Sequence, residues 1–354
     1  MDQPTSLPPE SNDEPLGGST ADEAGFESAG DDGEGFEHRP VMVDEIVGLF
    51  GPAPSGTVLD ATVGGAGHAM AILEAHPHLR LLGLDRDPVA VAVASQRLRR
   101  FGDRAAVLHL RFDALAQAVD PSAGSRRPGV APGEEGLSGA LFDLGVSSPQ
   151  LDRAERGFSH RFDAPLDMRM DPGEGPTAAD VVNGYDEADL ARLLFRLGDE
   201  RHANRIARAI VAHRPITTTG QLAEVIRDAI PAPARRRGGN PATRSFQAVR
   251  IEVNRELEIL PDAIDTAIDL LAPGGRCAVL AYHSGEDRIV KERFRHAATG
   301  GCTCPPGLPC VCGAVPAVRL LKRGAWKPTE AEVADNPRAG SARLRAVVKL
   351  GKAA

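Results

Sequence analysis

The chain has 354 residues, enough for two domains with their own cores, and its hydrophobic content of 42% is ordinary for a globular protein. No apolar run approaches the roughly 20 residues that cross a bilayer as a helix, and the N-terminus lacks the basic and apolar regions of a secretory signal. These features predict a cytoplasmic protein with no membrane segment.

The net charge of −8 is unevenly distributed. Residues 1–37 contain eleven acidic and no basic residues, which leaves 41 basic against 38 acidic side chains in the rest of the chain. This segment is rich in Gly, Pro and Ser, so we predict a disordered acidic tail outside the fold. Residues 201–255 carry eleven arginines and three acids. Their charge is equally compatible with a phosphate-binding surface and with a solvated, ion-paired face.

From about His38 the predicted strands and helices alternate. The predicted elements are an amphipathic helix after HRPVM, a strand at 57–61, a glycine turn at Gly64–Gly67 that opens a helix, a strand at 79–85, a helix closed by Gly102, a strand at 105–110, a loop at 125–136 and a strand within 138–148. Such alternation is typical of a mostly parallel sheet with helices on both faces.

The alternation is interrupted between about Leu151 and Thr243, where the segments have helical periodicity, for example EADLARLLFRLG and TGQLAEVIRDAI. It resumes with a helical stretch and with strands at 276–282, 317–323 and 343–350. We therefore expect an α/β fold with an inserted all-helical domain: a first α/β part at 38–150, the insertion at 151–243 and a second α/β part at 244–354.

The turn in VLDATVGGAGHAMAIL is typical of a site for an adenosine-containing ligand. Glycines let the backbone approach a ligand, and a helix start offers free N–H groups. Asp85, at the end of the second strand, is placed to bind a ribose hydroxyl pair. The ligand could be a nicotinamide cofactor or S-adenosylmethionine. Asp60 before the turn favours the second, because carboxylates suit an amino group and a sulfonium. Asp60, Asp85 and Asp143 are all predicted at strand ends, where each could instead cap a helix.

Several motifs occur in the order found in one family: DATVGGAGH, LFDLGVSSPQLDRAERGFSHRFDAPLDMRMDP, PATRSFQAVRIEVNRELE, YHSGEDRIVK and NPRAGSARLRAV. Over about residues 38–350 the chain resembles the bacterial 16S rRNA cytidine N4-methyltransferases. The resemblance implies a Rossmann-like methyltransferase sheet with an inserted helical domain for substrate recognition. It also implies S-adenosyl-L-methionine as cofactor and, as substrate, the N4 of a decoding-centre cytidine in 16S rRNA of the small ribosomal subunit.

The resemblance also implies a set of cofactor contacts, namely Ala66, Gly67, His68, Asp85, Phe112, Asp143 and Gln150. The family usually has glycine at position 66, and alanine fits the turn only if its φ is negative. Amino-methyltransferases often place an acid or amide, two prolines and an aromatic residue after the fourth strand. Here Asp143 and Pro149 are present and the aromatic residue is not.

Asp143 is the first candidate catalytic residue, because it could hold the amine or the sulfonium side of the cofactor. His283, with Ser284, is the second candidate; alternatively His283 is a strand-end histidine and Ser284 a helix cap. Phe158 and Phe162 are candidates for stacking on a target base that has left its stack, or else they belong to the core of the insertion.

Four cysteines lie close together in CTCPPGLPCVC: Cys302, Cys304, Cys310 and Cys312. The two C-x-C pairs are tighter than the usual C-x-x-C zinc ligands. An unliganded loop is the favoured interpretation, with a zinc site and a redox pair as alternatives, and we assign no metal ligand from the sequence.

Two rival functions remain open at this stage. One is a nucleic-acid-binding protein that has kept the cofactor fold without catalysis, which the intact Asp85, Asp143 and Gln150 disfavour. The other is a nicotinamide-dependent oxidoreductase. Measured methyl transfer and a cofactor titration would separate these from a methyltransferase.

Overall fold

The structure, a computed structural model, describes residues 40–120, 130, 133, 135–235, 240–305 and 311–351. The described strands are β1 (Gly56–Asp60), β2 (Leu79–Asp85), β3 (Ala105–His109), β4 (Leu137–Asp143), β5 (Leu271–Ala281), β6 (Val318–Leu320) and β7 (Arg343–Lys349). The described α-helices are α1 (Val43–Phe50), α2 (Gly67–Ala75), α3 (Pro88–Leu98), α4 (Leu115–Val119), α5 (Ser148–Asp152), α6 (Ala178–Gly184), α7 (Glu187–Gly198), α8 (Ala203–Ala212), α9 (Thr219–Ala229), α10 (Ala232–Arg235), α11 (Thr243–Asn254), α12 (Glu256–Asp269), α13 (Ser284–Thr299) and α14 (Glu330–Asp335).

The described strands form one sheet in the order β3-β2-β1-β4-β5-β7-β6. β1 to β5 pair in parallel, whereas β7 pairs antiparallel with both β5 and β6. β4 is buried along almost its whole length, as expected for a central strand covered by helices on both faces. The predicted α/β class with a mostly parallel sheet is confirmed.

Apolar side chains cover the two faces of the sheet. On one face α12 and α13 pack on β5, and α4 packs on α12; on the other face α1 packs on β5, and α2 packs on β2. Because β1 to β5 are parallel, their carboxyl ends lie at one edge of this packed sheet. The sheet is therefore a rigid support for the loops that follow its strands.

The helices between β4 and β5 have a separate apolar core. It contains side chains of α6 to α9 and also of α11, as far as Val253. The helical packing thus continues past residue 243, where we expected the insertion to end, because the apolar face of α11 packs on α7. The described residues nevertheless form one compact unit.

Most predicted elements lie where the sequence placed them, and β2 and α7 match to the residue. The predicted acidic tail at 1–37 lies outside the described residues, as does most of the predicted loop at 125–136. In the part of the chain that the structure describes, no helix is long and apolar enough to cross a membrane.

Candidate active site

The carboxyl ends of β1, β2 and β4 form the candidate active site. The strand order reverses here, because the chain proceeds from β1 to β2 and β3 on one side and then returns to β4 on the other. In open α/β sheets, ligands bind outside the strand ends at such a switch point. The last residues of these strands are Asp60, Asp85 and Asp143. The prediction that the three aspartates end neighbouring strands is confirmed.

The glycine turn after β1 is fixed against β2. The N–H of Gly64 donates to Oδ2 of Asp85 (2.9 Å), and the N–H of Val63 donates to the Leu84 carbonyl (2.8 Å). Gly67 begins α2, and a Cβ there would overlap the ring of Pro40. The turn therefore holds the start of α2, with its unpaired N–H groups, beside Asp85.

Ala66 corrects one expectation from the sequence. We expected a negative φ, but Ala66 has φ 64° and ψ 22°, the left-handed conformation that glycine adopts most easily. This conformation costs an alanine about 1–2 kcal/mol. Two contacts offset the cost: the N–H of Ala66 donates to the Val63 carbonyl (2.7 Å), and its methyl group is fully buried in the cluster formed by α2, β2 and α3.

Asp85 is positioned by the backbone on both sides. Besides the bond from Gly64, its Oδ1 accepts the N–H of Asp87 (2.9 Å). Burial raises the pKa of Asp85 above its usual value, and these two N–H donors oppose that rise. Each carboxylate oxygen has a further lone pair, so the side chain can still accept hydrogen bonds from a diol.

Asp143 has a fixed orientation at the end of β4. Its Oδ1 accepts the hydroxyl of Tyr282 (2.9 Å), its Oδ2 lies 3.3 Å from Nδ1 of His68, and its N–H donates to the Thr62 hydroxyl (2.7 Å). The side chain is still 28% exposed. The carboxylate therefore has a defined direction and free lone pairs.

His68 lies between the Val41 carbonyl and the carboxylate of Asp143. Its Nε2 is 2.9 Å from the Val41 carbonyl, which can only accept, so Nε2 carries a proton. Burial alone would lower the pKa of His68, but the hydrogen bond and charge of Asp143 outweigh it and raise the pKa. When the ring is protonated, it can donate to both Val41 and Asp143 in this arrangement.

Asp60 is the most buried of the three carboxyl groups. Its exposure is 2%, and burial raises its pKa to about 7, although His68 and the N–H of Thr62 act in the opposite direction. Asp60 thus exchanges its proton near neutral pH, and a positive group placed beside it would favour the ionised form.

Gln150 lies in a polar network next to the site. Its Nε2 donates to Oδ2 of Asp87 (3.0 Å), and its Oε1 accepts the N–H of Ser147 (3.0 Å). Arg156 donates to the same Asp87 oxygen (2.9 Å) and to the carbonyls of Arg169 and Met170. Gln150 is therefore a positioning residue in this structure, and its predicted cofactor contact stays a prediction.

Phe112 begins the short helix after β3 and is half-buried. Its ring packs edge-to-face on Phe142 of β4, with 5.9 Å between the ring centroids. The contact holds the loop after β3 beside the end of β4. The predicted contact of Phe112 with a cofactor stays a prediction.

His283 has a local structural role. It is the N-cap of α13: its Nδ1 accepts the N–H of Gly285 (3.2 Å), while Nε2 lies 3.1 Å from Oε1 of Glu286. The alternative in which Ser284 caps this helix is wrong, since Ser284 is the first helical residue and its hydroxyl donates to Asp199 (3.1 Å). The catalytic role predicted for His283 has no support from these contacts and stays a prediction.

The two phenylalanines of RGFSHRFD differ in exposure. Phe158 is 6% exposed and packs under the guanidinium of Arg156, 5.8 Å from its ring centroid, so it belongs to the core. Phe162 is 47% exposed. Phe162 therefore remains the candidate for stacking on a base.

The arginines of residues 201–255 divide into two groups. Arg250 pairs with Glu256 (2.9 Å), Arg255 with Glu258, and Arg214 donates to backbone carbonyls. Arg201 and Arg205, by contrast, are exposed on or beside α8 and have no ion pair within the described residues. Only part of this arginine set is free for phosphate. Arg236 and Arg237 lie outside the described residues.

Sequence reasoning missed several residues of the site. Tyr282 directly follows β5, the neighbour of β4, so the strand-end argument that found Asp143 could also have found it. Thr62 and Arg156 gave no comparable signal, because their partners are 81 and 69 residues away in sequence.

The chain is similar to known proteins over most of its length. The profile of the MraW methylase family matches residues 35–350. A ribosomal RNA small subunit methyltransferase H from Mycolicibacterium gilvum (strain PYR-GCK) is 52% identical over 321 residues, which are 89% of this chain and 83% of that protein. Proteins of the same name from Thermobifida fusca (strain YX) and Geobacter sp. (strain M21) are each 50% identical, covering 87% and 90% of this chain and 92% and 100% of theirs. The chain belongs to the MraW methylase family.

Proposed function

We propose that this protein transfers a methyl group from S-adenosyl-L-methionine to the exocyclic N4 of a cytidine in 16S rRNA. The names of its relatives support a substrate in small-subunit rRNA. The structural observation that supports it most directly is Asp143, which is partly exposed at the switch point and held by Tyr282 and His68. The decoding-centre cytidine, the assembled small subunit as substrate and a cytoplasmic location are the finer parts of this proposal.

The donor groups at the switch point fit S-adenosyl-L-methionine. Asp85 would hold the ribose hydroxyls, and the N–H groups of Gly67 and His68 would lie beside the ligand at the start of α2. Asp143 would offer its exposed carboxylate to the amino group or sulfonium, and the buried Asp60 would act on them only through its charge. When bound, the cofactor supplies an electrophilic methyl group.

Asp143 would act on the cytosine amine. The N4 lone pair is delocalised into the ring, so N4 is a poor nucleophile until the enzyme aligns it and compensates the charge that develops on nitrogen. A fixed carboxylate can accept an N–H of that amine and do both. Tyr282 and His68 would keep its direction and prevent it from turning toward other donors.

The helical insertion would bind the RNA. Arg201 and Arg205 would contact phosphates, which gives salt-dependent and largely sequence-independent affinity. Phe162 would stack on a base that has left its helix, in the manner of enzymes that modify single bases.

The test uses small subunits from a strain that lacks this protein. They are incubated with the purified protein and labelled S-adenosyl-L-methionine, and the rRNA is digested so that the modified nucleoside can be identified. We expect N4-methylcytidine with the wild type and its loss in Asp143→Ala. Asp265→Ala is the matched control, because Asp265 lies on α12, where it pairs with Arg293 of α13 and belongs to none of the strand ends.

Cofactor binding that persists without any methyl transfer to the native subunit would contradict the proposal. It would instead favour a cofactor-binding RNA protein. Transfer to another atom or another RNA would contradict the assignment of the substrate.

A further inference from the structure

Three cysteines come together in the connection between α13 and β6. The Sγ atoms of Cys302, Cys304 and Cys312 all lie within 4.8 Å of one another, and those of Cys302 and Cys312 are 3.6 Å apart. Two thiolates at about 2.3 Å from one tetrahedral zinc ion lie roughly 3.8 Å from each other. The distance between the sulfur atoms of Cys302 and Cys312 is therefore close to one edge of a zinc tetrahedron, and Cys304 Sγ lies within reach of the same ion.

We propose that Cys302, Cys304 and Cys312 form a binding site for a structural zinc ion. Three thiolates would ligate the metal, and each would release its proton on binding. One corner of the tetrahedron remains for a further ligand. The chemistry selects a soft, tetrahedral divalent cation over Mg²⁺ or Ca²⁺, which prefer oxygen ligands.

The cluster is accessible to solvent. The thiolate is the form of cysteine that binds metal, so each thiol must release its proton when the ion binds. Cys312 is exposed and the other two are partly exposed, so an ion can enter from solvent.

Two apolar side chains of the described part of this connection are exposed. Val311 and Val315 are 89% and 75% exposed, so burial of these two side chains does not hold the residues around Cys312 in place. Its ends are fixed, because Ala317 donates to the Ala297 carbonyl (2.9 Å) and Gly300 lies directly against the backbone of Val315. A metal bound by Cys302 and Cys312 would link the chain beside one of these ends to the chain beside the other.

The position of the cluster indicates a structural role. α13 begins beside Tyr282 and His283, at the carboxyl edge of the sheet, and the cysteines follow its other end. A helix of 16 residues is about 24 Å long. The metal would therefore stabilise the segment and take no part in methyl transfer.

The experiment measures metal in the full-length protein, purified under reducing conditions without a histidine tag. We expect about one zinc ion per chain by elemental analysis. Addition of Co²⁺ to metal-depleted protein should give the thiolate-to-cobalt charge-transfer band and the visible bands of a tetrahedral site. This readout does not depend on any variant's folding.

Cys302→Ser and Cys312→Ser should lose the zinc and lower the unfolding temperature, with methyl transfer still measurable at low temperature. Cys277→Ala is the matched control, since Cys277 is fully buried in β5, and it should retain the metal. Wild-type protein that neither contains zinc nor takes up Co²⁺ would overturn the proposal. Zinc retained in both serine variants would overturn it as well.

Discussion

Nδ1 of His68 lies 3.3 Å from Oδ2 of Asp143, and the histidine side chain is only 5% exposed. The pair joins the start of α2 to the end of β4, so it connects the glycine turn with the candidate catalytic carboxylate. The other ring nitrogen faces the Val41 carbonyl, and both partners can only accept, so a protonated ring donates to both and its charge compensates Asp143 and the more deeply buried Asp60. One side chain therefore sets both the geometry and the charge of the site.

Replacing His68 by Gln should be strongly destabilising. The substitution removes the counter-charge of the partly exposed Asp143 and of the buried Asp60, and breaking a buried pair costs about 3 kcal/mol or more. His76→Gln is the matched control, because His76 makes the same bond to a backbone carbonyl (Val47, 2.8 Å) and has no carboxylate partner among the described residues. It should cost about 1 kcal/mol. Urea unfolding measures both, and equal losses would show that the carboxylate contact contributes nothing.

Tyr282→Phe should reduce methyl transfer while the protein stays folded. It removes the hydroxyl that orients Asp143, a hydrogen bond to a charged group worth about 1.5–3 kcal/mol, so we expect kcat to fall by about tenfold or more. Tyr185→Phe is the control: its hydroxyl donates to Glu252 (2.8 Å) in the helical layer. It should leave kcat unchanged. If the two variants have equal activity, the hydrogen bond from Tyr282 to Asp143 is not needed for catalysis, and the prediction is wrong.

Asp60 should make stability fall as the pH rises. Its pKa is raised to about 7 in the folded protein from a usual value of 3.8, so the unfolded chain loses this proton first. Its contribution to stability is complete below about pH 4 and is lost as the pH rises through about 7, with a slope of up to about 1.4 kcal/mol per pH unit. The raised pKa of His68 acts with the same sign.

The measurement is the difference in unfolding free energy between wild type and Asp60→Asn from pH 5 to 8, without cofactor. Asn has nearly the same shape and does not titrate. The unfolding free energy of the variant should therefore increase relative to that of the wild type as the pH rises. Asp113→Asn is the control, because pairing with Arg111 lowers the pKa of Asp113 and keeps it ionised over this range. A constant difference for Asp60→Asn would contradict the prediction.

Local sequence signals predicted the elements and the strand-end aspartates well. β2 and α7 have clear periodicity and clear ends, such as the N-cap Asp186 of α7. The antiparallel position of β7 between β5 and β6 could not be predicted, because nothing local to RLRAVVKL specifies which strand it pairs with. Such pairing depends on the packing of the whole sheet.

The contacts within the site were harder to predict for the same reason. Tyr282 and Asp143 are 139 residues apart in sequence, and Arg156 and Asp87 are 69 apart. The sign of φ at Ala66 was predicted wrongly, because a propensity rule cannot include the buried contacts that hold this alanine in place. A residue's conformation in a tight turn is decided by its tertiary neighbours as well as by its own side chain.

The strain at Ala66 gives a stability prediction. Ala66→Gly should be neutral or stabilising by up to about 1 kcal/mol, because glycine adopts the positive φ without a Cβ clash, which offsets the lost burial of one methyl group. Ala69→Gly is the control within α2, where Ala69 is equally buried. It should cost about 1 kcal/mol or more. Thermal unfolding compares them, and equal destabilisation would mean that Ala66 is not strained.

Substitution of Phe162 tests how the helical insertion binds RNA. It is 47% exposed, so Phe162→Ala should change stability little. A stacked base is worth about 1–3 kcal/mol, so KM for the rRNA substrate should rise about fivefold or more while cofactor affinity is unchanged. Phe195→Ala is the comparison, because Phe195 is 64% exposed on α7 and has no proposed contact with the base. If both variants raise KM equally, the loss reflects general RNA contact by exposed aromatic rings, and Phe162 has no special relation to the target base.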